Sequence, residues 1–180
     1  MNADLIKQLD SFNHGNGLPP VDKWNPEFCG DIDIKIDEKG NWYHEGGLIK
    51  RDKLVCLFAS VLKKEKDEYY LVTPVEKLRI QVVDVPLFVI DVEFSWVDDL
   101  PIITFTTKTG DVIVLSESHP LRVIVDEVTG EPHPYVLVRG GMEAKLSRNV
   151  FYELVNHAEI SNHKLVVCSD NLRFIMGDVE

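Results

Sequence analysis

The strongest constraint on the fold of this chain is an internal repeat, because a pattern in residues 36–80 returns in residues 125–174. Five segments recur in the same order: Asp37 and Gly40 as Asp126 and Gly130, Gly46-Gly47 as Gly140-Gly141, the apolar run from Leu54 as the run from Val150, Tyr70-Leu71-Val72 as Leu165-Val166-Val167, and Leu78-Arg79 as Leu172-Arg173. The separation between matching positions stays between 89 and 96 residues, which is the mark of a duplicated unit. Two copies of one motif tend to meet at a pseudo-symmetric seam. We therefore expect the copies to pack together and to leave a ligand-binding groove between them.

Each copy has the pattern of a β-hairpin, a helix and two further strands. Apolar and polar residues alternate through 31–36, which predicts a half-buried strand before the first turn. Helices are expected over 53–64, with Asp52 as N-cap, and from the N-cap Ser147 to about residue 158. Because strands and helices do not alternate along the chain, the pattern predicts an α+β fold with segregated helices.

The middle of the chain is dense in strand patterns, so the C-terminal half is expected to be strand-rich. Further strands are predicted at 42–46, 69–73, 78–82, 87–92, 102–106, 111–115, 121–125, 135–138, 164–168 and 172–176. Three segments follow from these patterns: an N-terminal helix (3–12) and linker over 1–23, a first repeat domain over 24–85, and a second repeat domain with extra strands over 86–180.

The charge and composition exclude several classes of partner. The chain carries 30 acidic and 19 basic residues, a formal charge of −11, which disfavours non-specific nucleic-acid binding and anionic membranes. No apolar stretch is long enough to span a membrane, and the N-terminus lacks the pattern of a signal peptide. The three cysteines (29, 56 and 168) lie far apart and are odd in number, which indicates a reduced, cytoplasmic setting.

Polar residues cluster where Pro74 interrupts a strand pattern. Lys77 and Arg79 are positioned to meet a phosphate there, with Thr73 as hydroxyl donor and Glu76 beside them. The alternative is a strand-end turn with solvated charges and a local ion pair.

Three more arginines extend the predicted anion site. Arg173 is the repeat equivalent of Arg79, and Arg122 and Arg139 lie on predicted strands of the second copy. Arginine offers a planar fork suited to phosphate or carboxylate. The alternative is that these are outward-facing strand arginines that pair with the many carboxylates of an acidic chain.

No motif predicts a metal, a cofactor or catalytic residues. The six histidines lack metal-ligand spacing, and the acidic residues near Asp31 do not fit a calcium-binding loop. The Gly-Gly pairs are interpreted as tight turns, and the cysteines as small apolar groups.

Several segments together resemble the bacterial family called domain of unknown function 1285. The resemblance runs from Trp24 to the end of the second helix and is carried by these segments: Trp24-x-Pro26 with Cys29-Gly30-Asp31-Ile32-Asp33-Ile34, Leu71-Val72-Thr73-Pro74-Val75-Glu76-Lys77, Gly110-Asp111, His119-Pro120-Leu121-Arg122, and Pro134-Tyr135-Val136 with Arg139 and Glu143-Ala144. The resemblance implies a duplicated fold whose C-terminal half is loosely similar to pleckstrin-homology domains. It also implies a nucleotide-type ligand between the domains and a role in signal transduction.

From these observations we expect a cytoplasmic, non-enzymatic ligand-binding or signalling module. It would bind an anionic, nucleotide-like molecule between the copies through Thr73, Glu76, Lys77, Arg79, Arg122, Arg139 and Arg173. One alternative is a protein-interaction domain that docks a partner on its strand-rich middle, which an uncovered sheet edge near 87–92 would favour. Another is an enzyme acting on a phosphorylated small molecule, with Glu76 or His119 as general base.

Overall fold

A computed structural model describes residues 17–179 of the chain, which divides into two compact units with the boundary between Asp84 and Val85. The helix predicted over 3–12 lies outside the described residues.

The first unit is built on one six-stranded sheet. Its elements are a short 3-10 helix (Val21–Lys23), β1 (Phe28–Ile36), β2 (Trp42–His44), β3 (Gly47–Leu48), α1 (Asp52–Ser60), β4 (Leu62–Glu65), β5 (Glu68–Val72) and β6 (Lys77–Val82). The strand order is β3-β2-β1-β6-β5-β4, with β1 and β6 parallel and the other neighbours antiparallel. The sheet is therefore two three-stranded meanders joined through their first and last strands.

The core of the first unit lies between one face of this sheet and α1. Ile34 and Ile36 are fully buried, as the alternation through β1 predicts. Trp42 stacks on Phe58 of α1 with ring centroids 6.1 Å apart, and both side chains are almost completely excluded from solvent. This aromatic pair fixes the helix on the sheet.

Helix α1 is shorter than the apolar pattern predicts, because it ends at Ser60 and β4 begins at Leu62. Val61 and Leu62 are buried, so their apolar character fits a helix stripe and a strand equally well. Pairing with β5 decides in favour of the strand. The N-cap is Arg51, and Asp52 is the first helical residue.

The second unit contains a six-stranded sheet, a three-stranded sheet and one helix. Its elements are β7 (Leu87–Val97), β8 (Leu100–Thr107), β9 (Val112–Val114), β10 (Leu121–Val125), β11 (Pro132–Arg139), β12 (Met142–Leu146), α2 (Arg148–His157), β13 (Glu159–Ser161), β14 (Lys164–Ser169) and β15 (Leu172–Asp178). The larger sheet has the order β10-β11-β12-β7-β8-β9, and β12 and β7 are parallel. Ser147 is the N-cap of α2, as predicted, and accepts from the Val150 amide.

Both units contain the same run of elements, three strands, a helix and three strands, as a duplication requires. The first hairpin of each run opens at an aspartate whose side chain accepts backbone amides of the turn, Asp37 in the first unit and Asp126 in the second. Gly40 and Gly130 close these turns with φ of 67° and 70°. The predicted repeat is therefore visible in the turn geometry as well as in the element order.

The second hairpin turns correct the predicted alignment by one position. Glu45-Gly46 and Gly140-Gly141 are the two-residue loops, and all four residues have positive φ. Gly46 therefore corresponds to Gly141, not to Gly140. Gly140-Gly141 is a tight hairpin turn, as interpreted from the sequence, whereas in the first unit the turn is Glu45-Gly46 and Gly47 begins β3.

The strand register also corrects the predicted pairing of the arginines. Arg79 lies opposite Tyr70 on β5, and the equivalent residue in the second unit is Ile175, opposite Val166. The equivalent of Arg173 is Lys77.

The units differ in how the two halves of the repeat join. In the first unit β1 pairs with β6. The equivalent strands β10 and β15 approach within 8 Å between Cα atoms, but they belong to different sheets. Strands β7–β9 have no counterpart among residues 17–84.

The predicted duplication is thus confirmed as two tandem, strand-rich units with a six-stranded mixed sheet in each. The label α+β and the likeness to pleckstrin-homology domains are not confirmed, since the described residues contain only two α-helices, of nine and ten residues.

Candidate functional site

A cavity of about 410 Å³ opens on the first unit where β1 separates from β6. Asp31 pairs with Arg79, and the next paired positions are Lys35 and Gln81. Three residues of β1 therefore stand opposite one residue of β6, a bulge that splays the two strands. The cavity is lined by Asp31, Ile32, Asp67, Glu68, Tyr69, Arg79, Ile80, Gln81 and Val82. Among the predicted site residues, only Arg79 lines it.

The Arg79 guanidinium is held in place by two carboxylates. Its Nε and Nη2 donate to the two oxygens of Asp31 at 2.8 and 3.1 Å, and Nη1 donates to Glu68 Oε1 at 2.6 Å. The Tyr70 hydroxyl donates to the other oxygen of Glu68 at 2.6 Å. The Phe28 ring lies 5.8 Å from the guanidinium carbon. Arg79 is thus a pre-oriented fork at the cavity wall.

These contacts lower the pKa of the carboxylates in the network and raise the pKa of the groups that donate to them. The hydrogen bond from Arg79 lowers the pKa of Asp31. Hydrogen bonds from Tyr70 and Arg79 lower the pKa of Glu68, and Glu68 in turn raises the pKa of Tyr70. Asp31 and Glu68 raise the pKa of Arg79. At neutral pH the two carboxylates and the guanidinium are therefore charged, and the phenol is neutral.

The balance of charge around the cavity is negative. Asp31, Asp67 and Glu68 contribute three carboxylates, and Arg79 is the one cation among the lining residues. Tyr69 adds an aromatic ring and Gln81 a carboxamide. The lining thus offers many hydrogen-bond acceptors, one guanidinium, and one amide able to donate and accept.

Lys77 lies on the same strand as Arg79 but is used differently. Its ammonium donates to Glu65, and it sits 4.4 Å from the centre of the Tyr70 ring. Glu65 also lies 3.5 Å from Lys63, and the contact with Lys77 is the main cause that lowers the pKa of Glu65. Lys77 is therefore part of a carboxylate-centred cluster.

Thr73 and Glu76 shape the turn between β5 and β6. Thr73 is fully buried, and its hydroxyl accepts from the amides of Val75 and Glu76 at 3.3 and 3.0 Å. Glu76 Oε2 is buried and has no hydrogen-bond partner among the described residues. The Thr73 hydroxyl thus stabilises the turn between β5 and β6.

Arg122 of the second unit is likewise engaged with a carboxylate. Its Nε and Nη2 donate to the two oxygens of Glu143, and its guanidinium lies 4.4 Å from the centre of the Tyr135 ring. Lys145 approaches the same ring at 5.8 Å. Arg122, Tyr135 and Lys145 are direct cross-strand neighbours on β10, β11 and β12. In this row the Tyr135 ring lies between two cationic side chains, Arg122 and Lys145, and forms a cation–π contact with each.

Arg139 forms the most buried ion pair of the predicted set. It donates to Asp111 Oδ1 at 2.7 Å, and the two side chains are 19% and 10% exposed. The other oxygen of Asp111 accepts from the hydroxyls of Thr107 and Thr109, each at 2.9 Å. Burial raises the pKa of Asp111, but Arg139 and these hydrogen bonds outweigh burial and lower it. The pair anchors the β8–β9 turn to the end of β11.

Arg173 differs from the other four basic residues, because it is exposed and forms no ion pair with any residue in 17–179. The predicted basic residues therefore do not converge within either unit. Each unit brings its own arginines against carboxylates: Arg79 in the first unit, and Arg122 and Arg139 in the second.

The residues that sequence reasoning missed are the acidic partners. They are Asp31, Glu65, Glu68, Asp111 and Glu143. The excess of 30 acidic over 19 basic residues was the available signal, and it indicates pairing without showing which residues pair.

The remaining candidates occupy separate places. His119 Nδ1 lies 3.0 Å from the Leu137 carbonyl oxygen in the second unit. Within residues 17–179, no group of three His, Cys, Asp or Glu side chains is placed to hold a metal ion, and no helix has the length and apolar character to cross a membrane. A second cavity, of about 370 Å³, is lined by Asp33, Lys35, Asp37, Tyr43 and Gly46.

Two family domains together match most of the chain. The N-terminal domain of DUF1285, a domain of unknown function, matches residues 19–85, and the DUF1285 C-terminal domain matches residues 86–176. The chain belongs to the DUF1285 family. The resemblance inferred from the sequence motifs is thereby confirmed.

Two solved structures of DUF1285 family proteins resemble the chain. One, from Silicibacter pomeroyi DSS-3, has 42% sequence identity and a TM-score of 0.88, over 97% of this chain and 95% of that chain. Another, from Shewanella baltica OS155, has 29% identity and a TM-score of 0.55, over 69% of this chain and 91% of that chain. Among proteins with curated descriptions, no match to this chain is found.

Proposed function

We propose that this DUF1285 protein is a non-enzymatic ligand-binding module that takes a nucleoside-type small molecule in the cavity at Arg79. The observation that carries the proposal is the cavity itself, whose volume of about 410 Å³ lies in the range typical of small-molecule sites. It forms at a strand bulge, a feature often found beside binding sites.

The lining matches the parts of a nucleoside. The Gln81 carboxamide can donate to and accept from the edge of a base. Tyr69 is the aromatic residue of the lining, and its ring centre lies 5.7 Å from the Lys64 ammonium. Asp31 and Glu68 accept hydrogen bonds, which suits sugar hydroxyls and exocyclic amines. Arg79 is the single group suited to a phosphate.

The charge of the lining sets how much negative charge the ligand can carry. A phosphate reaches Arg79 in competition with Asp31 and Glu68, which already hold the guanidinium. Each added phosphate also meets the repulsion of three carboxylates. The proposed order of affinity is therefore nucleoside and nucleoside monophosphate above triphosphate. This narrows the anionic, nucleotide-like ligand expected from the sequence.

A binding role is favoured over catalysis because the cavity lining lacks the usual set of nucleophile, base and orienting group. Two of its three carboxylates, Asp31 and Glu68, are bound to Arg79, and neither Glu76 nor His119 lines it. In this proposal the protein acts in the cytoplasm as a sensor. The second unit is its pleckstrin-homology-like half, as the family resemblance implies. The other residues expected from the sequence to contact the ligand do not line this cavity and are not contacts in this proposal: Thr73, Glu76, Lys77, Arg122, Arg139 and Arg173.

The proposal is tested by the thermal unfolding of the purified chain with adenosine, adenosine monophosphate and adenosine triphosphate at equal concentrations. Binding to the folded state alone raises Tm in proportion to the logarithm of ligand concentration. We expect the nucleoside and the monophosphate to raise Tm more than the triphosphate does. A Tm unchanged by these and by guanosine, cytidine and uridine would overturn the proposal.

Two variants localise any effect. Gln81→Ala removes an exposed lining side chain and is expected to abolish the rise in Tm with little change in the free protein. Arg122→Gln is the matched control for Arg79→Gln, since both are strand arginines bound in bidentate fashion to a carboxylate. Equal loss of the ligand effect in Arg79→Gln and Arg122→Gln would contradict the assignment to the Arg79 cavity.

A further inference from the structure

The outer face of strands β7, β8 and β9 carries an ordered pattern of charge and apolar side chains. Two cross-strand rows run across it, Asp91–Thr106–Val112 and Glu93–Thr104–Val114. Each row begins with an exposed carboxylate on β7 and ends with an exposed valine on β9. The valines are 70% and 37% exposed. We call this surface, defined by these six residues, the acid–valine face.

The opposite face of the same strands belongs to the core of the second unit. Val92, Phe105 and Ile113 are buried there. Phe94 stacks on His157, the last residue of α2, with ring centroids 3.7 Å apart. Helix α2 therefore covers the inner face, and the acid–valine face points the other way.

Apolar exposure continues from the acid–valine face to the tip of the β7–β8 hairpin. Val97 and Leu100 are paired there on the same side of the sheet, and they are 55% and 38% exposed. The flanking charge is almost entirely negative. Between positions 91 and 117 the acidic residues are Asp91, Glu93, Asp98, Asp99, Asp111 and Glu117, and the one basic residue is Lys108. Of these, Asp111 is already paired with Arg139.

We propose that the acid–valine face docks a basic amphipathic helix of another protein. The two valines on β9 and the two carboxylates on β7 lie two strand spacings apart, about 9.6 Å. This distance matches the diameter of a helix, about 10 Å. A helix lying over Thr104 and Thr106 would place an apolar stripe on the valines. It would place lysines or arginines on Asp91 and Glu93.

The spacing along the strands fits the same occupant. Val112 and Val114 are two residues apart on β9, as Asp91 and Glu93 are on β7, which is about 6.8 Å. Residues four apart on a helix are separated by about 6 Å along its axis. A partner strand added at the edge strand β9 is a poorer fit, because it would contact the valines but not the carboxylates on β7. A second copy of this chain is disfavoured by its own charge of −11.

The test uses a fluorescently labelled eighteen-residue helical peptide with leucines on one side and lysines on the other, and a second peptide with glutamates in place of the lysines. Fluorescence anisotropy measures binding of each peptide to the whole protein. The lysine peptide is expected to bind and the glutamate peptide is not. Equal binding of both peptides would overturn the proposal.

Charge variants separate this face from the net charge of the protein. Asp91→Lys with Glu93→Lys is expected to weaken binding of the lysine peptide by about tenfold or more, because both carboxylate contacts become repulsive. Glu127→Lys with Glu159→Lys changes the net charge equally at exposed positions elsewhere in the second unit and is expected to leave binding within about twofold. Equal losses in the two double variants would contradict the proposal.

The apolar half of the face is tested with Val112→Thr and Val114→Thr together, which keep the side-chain shape and strand propensity. This variant is expected to bind the lysine peptide about fivefold or more weakly than the parent does. Unchanged binding overturns the proposal. So does a sedimentation experiment in which the parent chain is a dimer and this variant is a monomer, because that result assigns the face to a second copy. Circular dichroism confirms that each variant is folded.

Discussion

The hydroxyl of Ser169 bridges the backbone amide of Ile103 and the backbone carbonyl of Leu115. The Ile103 amide donates to Ser169 Oγ at 3.0 Å, and Oγ donates onward to the Leu115 carbonyl oxygen at 2.7 Å. Leu115 returns a direct bond to the Ile103 carbonyl oxygen at 2.9 Å. The fully buried Ser169 side chain of the three-stranded sheet thus completes a backbone pair between β8 and Leu115, the residue that follows β9.

Ser169→Ala is therefore expected to destabilise the protein by about 1–3 kcal/mol, because it leaves a buried N–H and a buried carbonyl without their partner. Chemical denaturation followed by circular dichroism measures the change. Ser118→Ala, at an exposed serine of the same unit, is the control and is expected to have no effect. A Ser169→Ala variant as stable as the parent would show that the bridge contributes nothing.

The Asp111–Arg139 pair is expected to give the second unit an acid-sensitive component of stability. The pKa of Asp111 is lowered in the folded state, so its stabilising contribution is present above the unfolded pKa of about 3.9 and is lost as the pH falls through the lower, folded pKa. Asp111→Asn leaves the largely buried Arg139 uncompensated and is expected to cost about 3 kcal/mol near neutral pH.

The measurement is the free energy of unfolding as a function of pH for the parent and Asp111→Asn. The variant should lose less stability than the parent as the pH falls below about 4. Glu131→Gln, at an exposed ion pair with Arg148, is the control and should follow the parent. Parallel curves for the parent and Asp111→Asn would contradict the assignment.

The duplicated hairpin turns are expected to respond alike to substitution. Gly46 and Gly141 have φ of 74° and 71°, and an added Cβ at either meets nothing within 4 Å. The cost of alanine is then conformational, about 1–2 kcal/mol at each position. Asparagine, which tolerates this region, should cost less.

Thermal unfolding of Gly46→Ala and Gly141→Ala measures this effect. Gly177→Ala is the control, because Gly177 lies outside the left-handed region and a Cβ there also meets nothing within 4 Å. If only one of the two turn variants is destabilised, the structural equivalence of Gly46 and Gly141 does not extend to energetics.

The features predicted well from sequence are those decided by local chemistry. Asp37 with Gly40 and Asp126 with Gly130 form turns because an aspartate side chain and a glycine with positive φ act within a few residues. Ser147 caps α2 for the same reason.

The features that sequence could not supply depend on long-range pairing. Arg79 meets Asp31 across 48 positions, and only the parallel pairing of β1 with β6 brings them together. The bulge that opens the cavity has no local signal in β1, whose alternation through Ile34 and Ile36 is regular. The predicted end of α1 was wrong because a buried Leu62 fits the apolar side of a helix and a buried strand equally well.

The alternative of a partner docking on the strand-rich middle was tied to an uncovered edge near 87–92. Residues 87–92 do not form such an edge, since β7 lies inside its sheet between β12 and β8, and the edge strands of the sheet are β9 and β10. The position of β7 depends on its pairing with β12, which a sequence pattern does not reveal.

A crystal soaked with adenosine monophosphate shows whether the cavity at Arg79 is a ligand site. Electron density for one molecule is expected within reach of Arg79 and Gln81. An empty cavity, or density bound only at another place on the protein, would contradict it.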